Sequence, residues 1–237
     1  MNLAGPYCSH KIGSVFFFTE ISFCLALFVN IVTVLNLNAG IDNFSILTAN
    51  KTMPGAYDAM ASSCDAYIYP GHVHAIIGTK ICEDELAKGV SGVVTGFTGD
   101  EIITALAIIV KKFSEGKPFF VNAYPRVVTA EGSPAAVAMV DKFMQPCDAD
   151  WRGIGVIPDS GMELREEYAA YDARKKYAIP SLNGEYKTAC RCGEVLQGHC
   201  KPNDCPLFGK VCTPLHAVGA CMVSDEGACS AFYQYAQ

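Results

Sequence analysis

Residues 92–113 read GVVTGFTGDEIITALAIIVKKF, and this stretch decides the fold class. Gly92–Thr95 is a short apolar run rich in β-branched residues, which reads as a strand. Thr98 is followed three residues later by Glu101, the pattern of a capping box that opens a helix. From Asp100 onward the apolar residues recur at the 3.6-residue spacing of one buried helical face. Lys111 and Lys112 close the segment, where cations complement the helix dipole.

The same alternation extends in both directions. Upstream, Asp42–Thr48 reads as a strand, Thr52 and Pro54 open a short helix that reaches about Ser62, and Ala66–Tyr69 is a further strand. That strand runs into Pro70-Gly71-His72-Val73-His74-Ala75-Ile76-Ile77-Gly78, read as a turn carrying two histidines. Downstream, Phe119–Val121 extends briefly before Tyr124-Pro125-Arg126. Ser133-Pro134 opens a helix over Ala135–Met144 that stops before Pro146. Gly153–Ile157 is a strand, and Leu164–Tyr177 reads as an amphipathic, charge-laced helix. Strands alternating with helices predict an α/β fold, a mostly parallel sheet layered by helices. It spans residues 1–180, with 1–40 as a divergent start. A shift in composition near Ile179-Pro180 separates it from a small irregular cysteine-rich unit, residues 181–237.

The start, Val15 to Asn38, is the most apolar stretch. A signal peptide lacks its basic n-region here, and a membrane helix wants about 20 uninterrupted apolar residues. Ile21 to Leu35 is shorter, follows Glu20 and contains Asn30. A buried strand (Ser14–Phe18) followed by a buried helix (about Ile21–Leu37) is the preferred reading, and an N-terminal membrane helix is the minority one. The 237 residues carry a net charge of −6, with 51% apolar and 18% charged residues. This balance gives a sizeable core and argues against a nucleic-acid surface, which needs a basic patch.

Seven of the twelve cysteines fall at 190, 192, 200, 205, 212, 221 and 229. Set among Gly and Pro turns, they point to convergent ligation of a soft metal. No gap is the C-x2-C knuckle of a zinc ribbon, nor is there the C-x2-C-x2-C run of bacterial ferredoxins. Structural zinc, disulfides and an iron–sulfur cluster all remain open on spacing alone. Elsewhere, Cys24, Cys64, Cys82 and Cys147 read as small buried hydrophobes, and Cys8-Ser9-His10 reads as incidental. Trp151-Arg152-Gly153 is either a recognition turn or a packing anchor. His72 and His74 follow the C-terminal end of a strand, where open α/β sheets place their ligand sites.

PGHVHAIIG, NAYPRVVTAEG, WRGIGVIPDSG, RCGEVLQGHCKPNDCPLFGKVCTP and MVSDEGACSAFYQY, with GIDNFSIL before them, resemble the hydrogenase maturation protein HypD family over roughly residues 40–237. The resemblance implies a cytoplasmic α/β protein whose C-terminal domain binds a [4Fe-4S] cluster. With a HypC-like chaperone and a HypE-like cyanide donor, such a protein is the scaffold on which the Fe(CN)2CO group of [NiFe] hydrogenases is built. Carried over, the cluster motif C-x12-C-x6-C-x16-C falls on Cys192, Cys205, Cys212 and Cys229. Cys190, Cys200 and Cys221 are left as neighbours, with Cys200 the rival ligand. His72 matches the histidine lining the family's interdomain cleft. The Cys-Gly-Gly-His-x-His and Gly-Pro-Gly-Cys-Pro-x-Cys segments are not found in this sequence, and Thr98 stands where the family has a glutamate. The expectation is therefore the C-terminal portion of such a scaffold with an altered start, inactive alone in holding the Fe(CN)2CO unit. The alternative is a non-redox interaction module with structural zinc in its tail.

Overall fold

The computed structural model describes residues 44–151, 154–180, 189–225 and 227–236, together with the backbone of 15–17. The expected helix over about Ile21–Leu37 and the domain boundary beside residue 180 fall on or against residues outside this set. No described helix is long and apolar enough to cross a membrane.

Four parallel strands form the first sheet, in the order β1 (Val15–Phe17), β3 (Ala66–Pro70), β4 (Ser91–Thr95), β5 (Phe120–Asn122). Every residue of β3 and β4 is buried, as expected of strands covered on both faces. The register sets Ile68 beside Val93 and Tyr69 beside Val94, which sorts the two faces. Tyr67, Tyr69 and Val94 pack beneath α1 (Met53–Met60), α2 (Gly71–Ile77) and α3 (Lys80–Ala87). Ala66, Ile68 and Val93 pack beneath α4 (Gly99–Phe113), through Ala105 and Ile109. The capping box forms as expected: Thr98 N–H donates to Glu101 Oε2 at 3.0 Å, and Glu101 N–H donates to Thr98 Oγ1 at 3.4 Å.

The second sheet is antiparallel, β2 (Asn50–Lys51), β7 (Gly155–Leu164), β6 (Met144–Trp151), and here the sequence misleads four times. Asp42–Thr48 is not a strand in its described part; Ile46 makes a single bridge to Asp172, and pairing begins at Asn50. The helix α5 (Pro134–Phe143) gives way directly to β6, which runs through Pro146. On an edge strand, a proline's missing N–H costs no ladder bond. The strand expected at Gly153–Ile157 instead spans Gly155–Leu164 as the second arm of the hairpin. Leu164–Tyr177 is then not one helix. Leu164 ends β7, Glu166–Tyr171 form a 3₁₀ segment, and Asp172, extended at φ −71° and ψ 112°, caps a short α6 (Ala173–Lys176) by accepting from Arg174 N–H at 2.8 Å. An N-cap residue has non-helical backbone angles, so Asp172 divides the segment.

Trp151 proves to be a packing anchor. Its ring is buried in the main core and its indole N–H donates to Ser160 Oγ at 2.7 Å across the hairpin. Gly92 makes room in the first sheet, since a Cβ there would meet the buried Tyr69 ring. Gly92→Ala is expected to destabilise the fold by about 1–3 kcal/mol through overpacking. Urea unfolding checks this: the midpoint drops while the slope holds.

Candidate functional site

Two places gather chemically capable side chains: the C-terminal edge of the parallel sheet and the cysteine tail.

At the sheet edge, the segment read as a two-histidine turn is a helix, α2, starting immediately after β3. Seven residues are too few to display a period, which is why the sequence hides it. Gly71 at its first position lies so close to β4 that a Cβ would come 2.6 Å from the Thr95 carbonyl oxygen and 2.7 Å from the Tyr124 ring. The two histidines part company. Residues two apart on a helix differ by about 200° in direction. His74 points into the core, fully buried, and His72 is half-buried with its ring 4.9 Å from that of Phe97.

The loops that follow β4 and β5 are tied together beside His72. Glu101 uses one carboxylate oxygen for the helix cap and the other for Arg126, whose Nη2 donates at 2.5 Å. The Thr98 backbone and side-chain bonds, then Arg126, hold the Glu101 pKa below the usual carboxylate range. The Arg126 guanidinium in turn sits 4.9 Å over the Tyr124 ring, and Tyr124 packs on Gly71. His72, Phe97, Glu101, Arg126 and Tyr124 thus belong to one set of touching loops at the edge where α/β sheets bind ligands. The Thr98–Glu101 spacing was readable in sequence, but nothing there announced Arg126 as its partner.

His74 sits at the centre of a buried polar cluster. A carbonyl only accepts, so Nδ1–H donates to Gly78 O at 2.8 Å, which leaves Nε2 to accept from the Tyr57 hydroxyl at 3.2 Å. Cys82 Sγ lies 3.6 and 3.7 Å from the two ring nitrogens. Burial lowers the His74 pKa from 6.5 to about 4 and pushes the Cys82 thiol far up. Cys82 is buried as expected, whereas Cys64 and Cys147 are only half-buried. Cys64 nonetheless titrates at about 11 because of its surroundings, burial foremost.

The tail builds its own apolar cluster from Cys192, Val195, Cys200, Cys212, Cys221, Met222 and Cys229, flanked by Cys190, Leu207, Phe208 and Tyr233. Two short helices frame it, α7 (Cys192–Leu196) and α8 (Ala228–Tyr235), and the ring of Phe208 lies 5.8 Å from both Phe232 and Tyr233. Six of the seven thiols are buried; Cys190 is half-buried. Cys221 and Cys229 have their sulfurs 3.0 Å apart. The side-chain bond to Cys221, then burial, raises the Cys192 pKa. Burial raises that of Cys190, and among the further causes are the neighbouring thiols of Cys192, Cys205 and Cys212. Backbone N–H groups point at sulfur: Cys221 N–H at Cys192 Sγ (3.5 Å) and Val218 N–H at Cys212 Sγ (3.3 Å). At Gly219 a Cβ would come 2.5 Å from Cys190 Sγ, so the backbone closes directly over the thiols. Amide N–H groups directed at sulfur suit thiolates, since such bonds stabilise the thiolate, while among the described residues no three or more His, Cys, Asp or Glu side chains are arranged to hold a metal ion. Of the residues expected as ligands, Cys192 and Cys229 both contact Cys221, and Cys212 accepts from Val218 N–H.

The folded His74 favours its neutral form. The unfolded chain therefore binds a proton that the folded one does not, between pH 6.5 and about 4. Its contribution is complete above pH 6.5 and is lost as the pH falls towards 4, amounting to on the order of 3 kcal/mol. Urea unfolding at pH 7 and pH 4.5 checks this: the loss of stability on acidification is expected to be smaller in His74→Gln than in the parent chain.

A family model described as "HypD: Hydrogenase formation hypA family" matches residues 10–236. The chain is 37% identical over 205 residues to a putative hydrogenase expression/formation protein of Methanocaldococcus jannaschii, covering 84% of this chain and 56% of that protein. It is 38% identical over 210 residues to the hydrogenase maturation factor HypD of Rhizobium leguminosarum (83% and 54%). It is 34% identical over 209 residues to the HypD of Cupriavidus necator (82% and 55%). The chain thus spans about half the length of the curated relatives it matches. With the matched residues running through both the sheet edge and the cysteine tail, the chain belongs to the HypD family.

Proposed function

We propose that this chain serves [NiFe]-hydrogenase maturation as a scaffold and redox component, with a [4Fe-4S] cluster held in the tail as a C-terminal domain. The observation that carries this is the tail itself, with five buried thiols in one apolar cluster, Cys190 packed against it, and backbone N–H groups directed at two of the five. The cluster would supply electron transfer. The protein's part is to hold its thiolates, shield them from water and set their hydrogen bonds.

The family resemblance gives the four ligands as Cys192, Cys205, Cys212 and Cys229, with Cys200 the rival. Backbone N–H groups directed at Cys192 and Cys212 support two of the four, and all four thiols are buried. His72, half-buried against Phe97 at the sheet edge, is the residue proposed to face the Fe(CN)2CO cargo. A HypC-like chaperone and a HypE-like cyanide donor are the proposed partners, and the cytoplasm the place of work.

Anaerobic purification with iron and sulfide analysis tests the reading. On the order of four irons and four sulfides per chain, with a brown colour bleached by dithionite, is the expected outcome. One colourless zinc would sink it in favour of a structural-zinc interaction module. Among single variants, Cys192→Ser, Cys205→Ser, Cys212→Ser and Cys229→Ser are expected to lose iron, while Cys190→Ser retains it. Loss in Cys200→Ser with retention in one of the four would give that position to Cys200.

A further inference from the structure

The helix that carries His72 has only seven residues. A helix that short is not stable by itself in water, so its place must come from tertiary contacts. At its start, Gly71 abuts β4 and Tyr124. Val73 is buried in the main core, the Ile76 carbonyl accepts from Ser133 N–H at 2.9 Å, and one further side chain adds a polar clamp. The His74 ring reaches three elements at once: the Gly78 carbonyl that ends its own helix (2.8 Å), the Tyr57 hydroxyl of α1 (3.2 Å) and Cys82 of α3 (3.6 Å).

Each of those contacts is itself held. The Tyr67 hydroxyl donates to the Tyr57 carbonyl at 2.8 Å, the Tyr69 ring packs edge-on against both Tyr57 (5.1 Å) and His74 (5.3 Å), and Gly78 turns the chain at φ +77°. Both ring nitrogens are satisfied only in the neutral Nδ1–H tautomer, one donating and the other accepting. An apolar side chain of the same size would leave the Tyr57 hydroxyl and the Gly78 carbonyl without this partner.

We propose that His74 is the positioning residue for His72: clamped between the Gly78 carbonyl and the Tyr57 hydroxyl, it fixes the rotation of α2 that sets His72 against Phe97. His74 touches no ligand in this scheme and acts through its neighbour two residues away. The proposal rests on the reading of His72 as the site residue, and its test reads the geometry of His72 rather than activity.

The test uses NMR of the full 237-residue chain. The measurement is the through-space contact between the His72 and Phe97 rings, in the parent and in the variants His74→Phe and Tyr57→Phe. Both variants are expected to keep the circular dichroism of the fold and the iron content of the tail. The His72–Phe97 contact should weaken or vanish in each. A purely structural His74 would lower stability and leave that contact where it was, and that result would overturn the proposal. Should His74→Phe fail to fold, Tyr57→Phe, which removes a single oxygen, decides alone. A separate His72→Ala variant that still supports hydrogenase maturation would sink the site reading while leaving the positioning geometry measurable.

Discussion

The parallel pairing of β3 with β4 is the constraint on which the rest of the described α/β part depends. All ten residues of these two strands, paired at five register positions, are buried, so both faces of the pair require cover. One face is met by α1, α2 and α3 over Tyr67 and Tyr69, the other by α4 over Ile68 and Val93. Each helix returns the chain towards the sheet, and the loops at its C-terminal edge follow from that arrangement. The crowding is severe enough to dictate residue type, which is why Gly71 and Gly92 stand where any side chain would strike a neighbour.

The tail is organised by a different force. Burying apolar surface explains Val195, Met222 and Phe208, yet half or more of its buried cluster is sulfur. Seven thiols in so small a space exceed what packing alone would select. The pKa values of Cys190, Cys192, Cys200 and Cys221 are raised, so at these positions the metal-free tail holds protons which a bound metal would displace.

Much of this architecture was legible in sequence, and the failures share a cause. Thr98 and Glu101 announced α4 because a capping box is a local signal, and Ala66–Tyr69 and Gly92–Thr95 announced themselves by being apolar throughout. The β6–β7 hairpin was missed because Pro146 reads as a stop wherever the strand's edge position is unknown. Leu164–Tyr177 carries a helical pattern that pairing with β6 and the Asp172 cap override. The short α2 falls below the length at which periodicity speaks. At the sites, residue types were readable but partnerships were not: Arg126 with Glu101, Tyr57 with His74, and Cys192 with Cys221 join segments between 17 and 29 residues apart, and one sequence carries no record of such distances.

The double use of Glu101 has a mechanical consequence. One oxygen closes the first turn of α4 and the other grips Arg126 in the loop after β5. A cargo or partner that drew Arg126 away would release that oxygen and leave the capping box, made by the other oxygen and by the Thr98 hydroxyl, complete. The helix start thereby keeps the Glu101 carboxylate aimed at the loop after β5 whether or not Arg126 is held there.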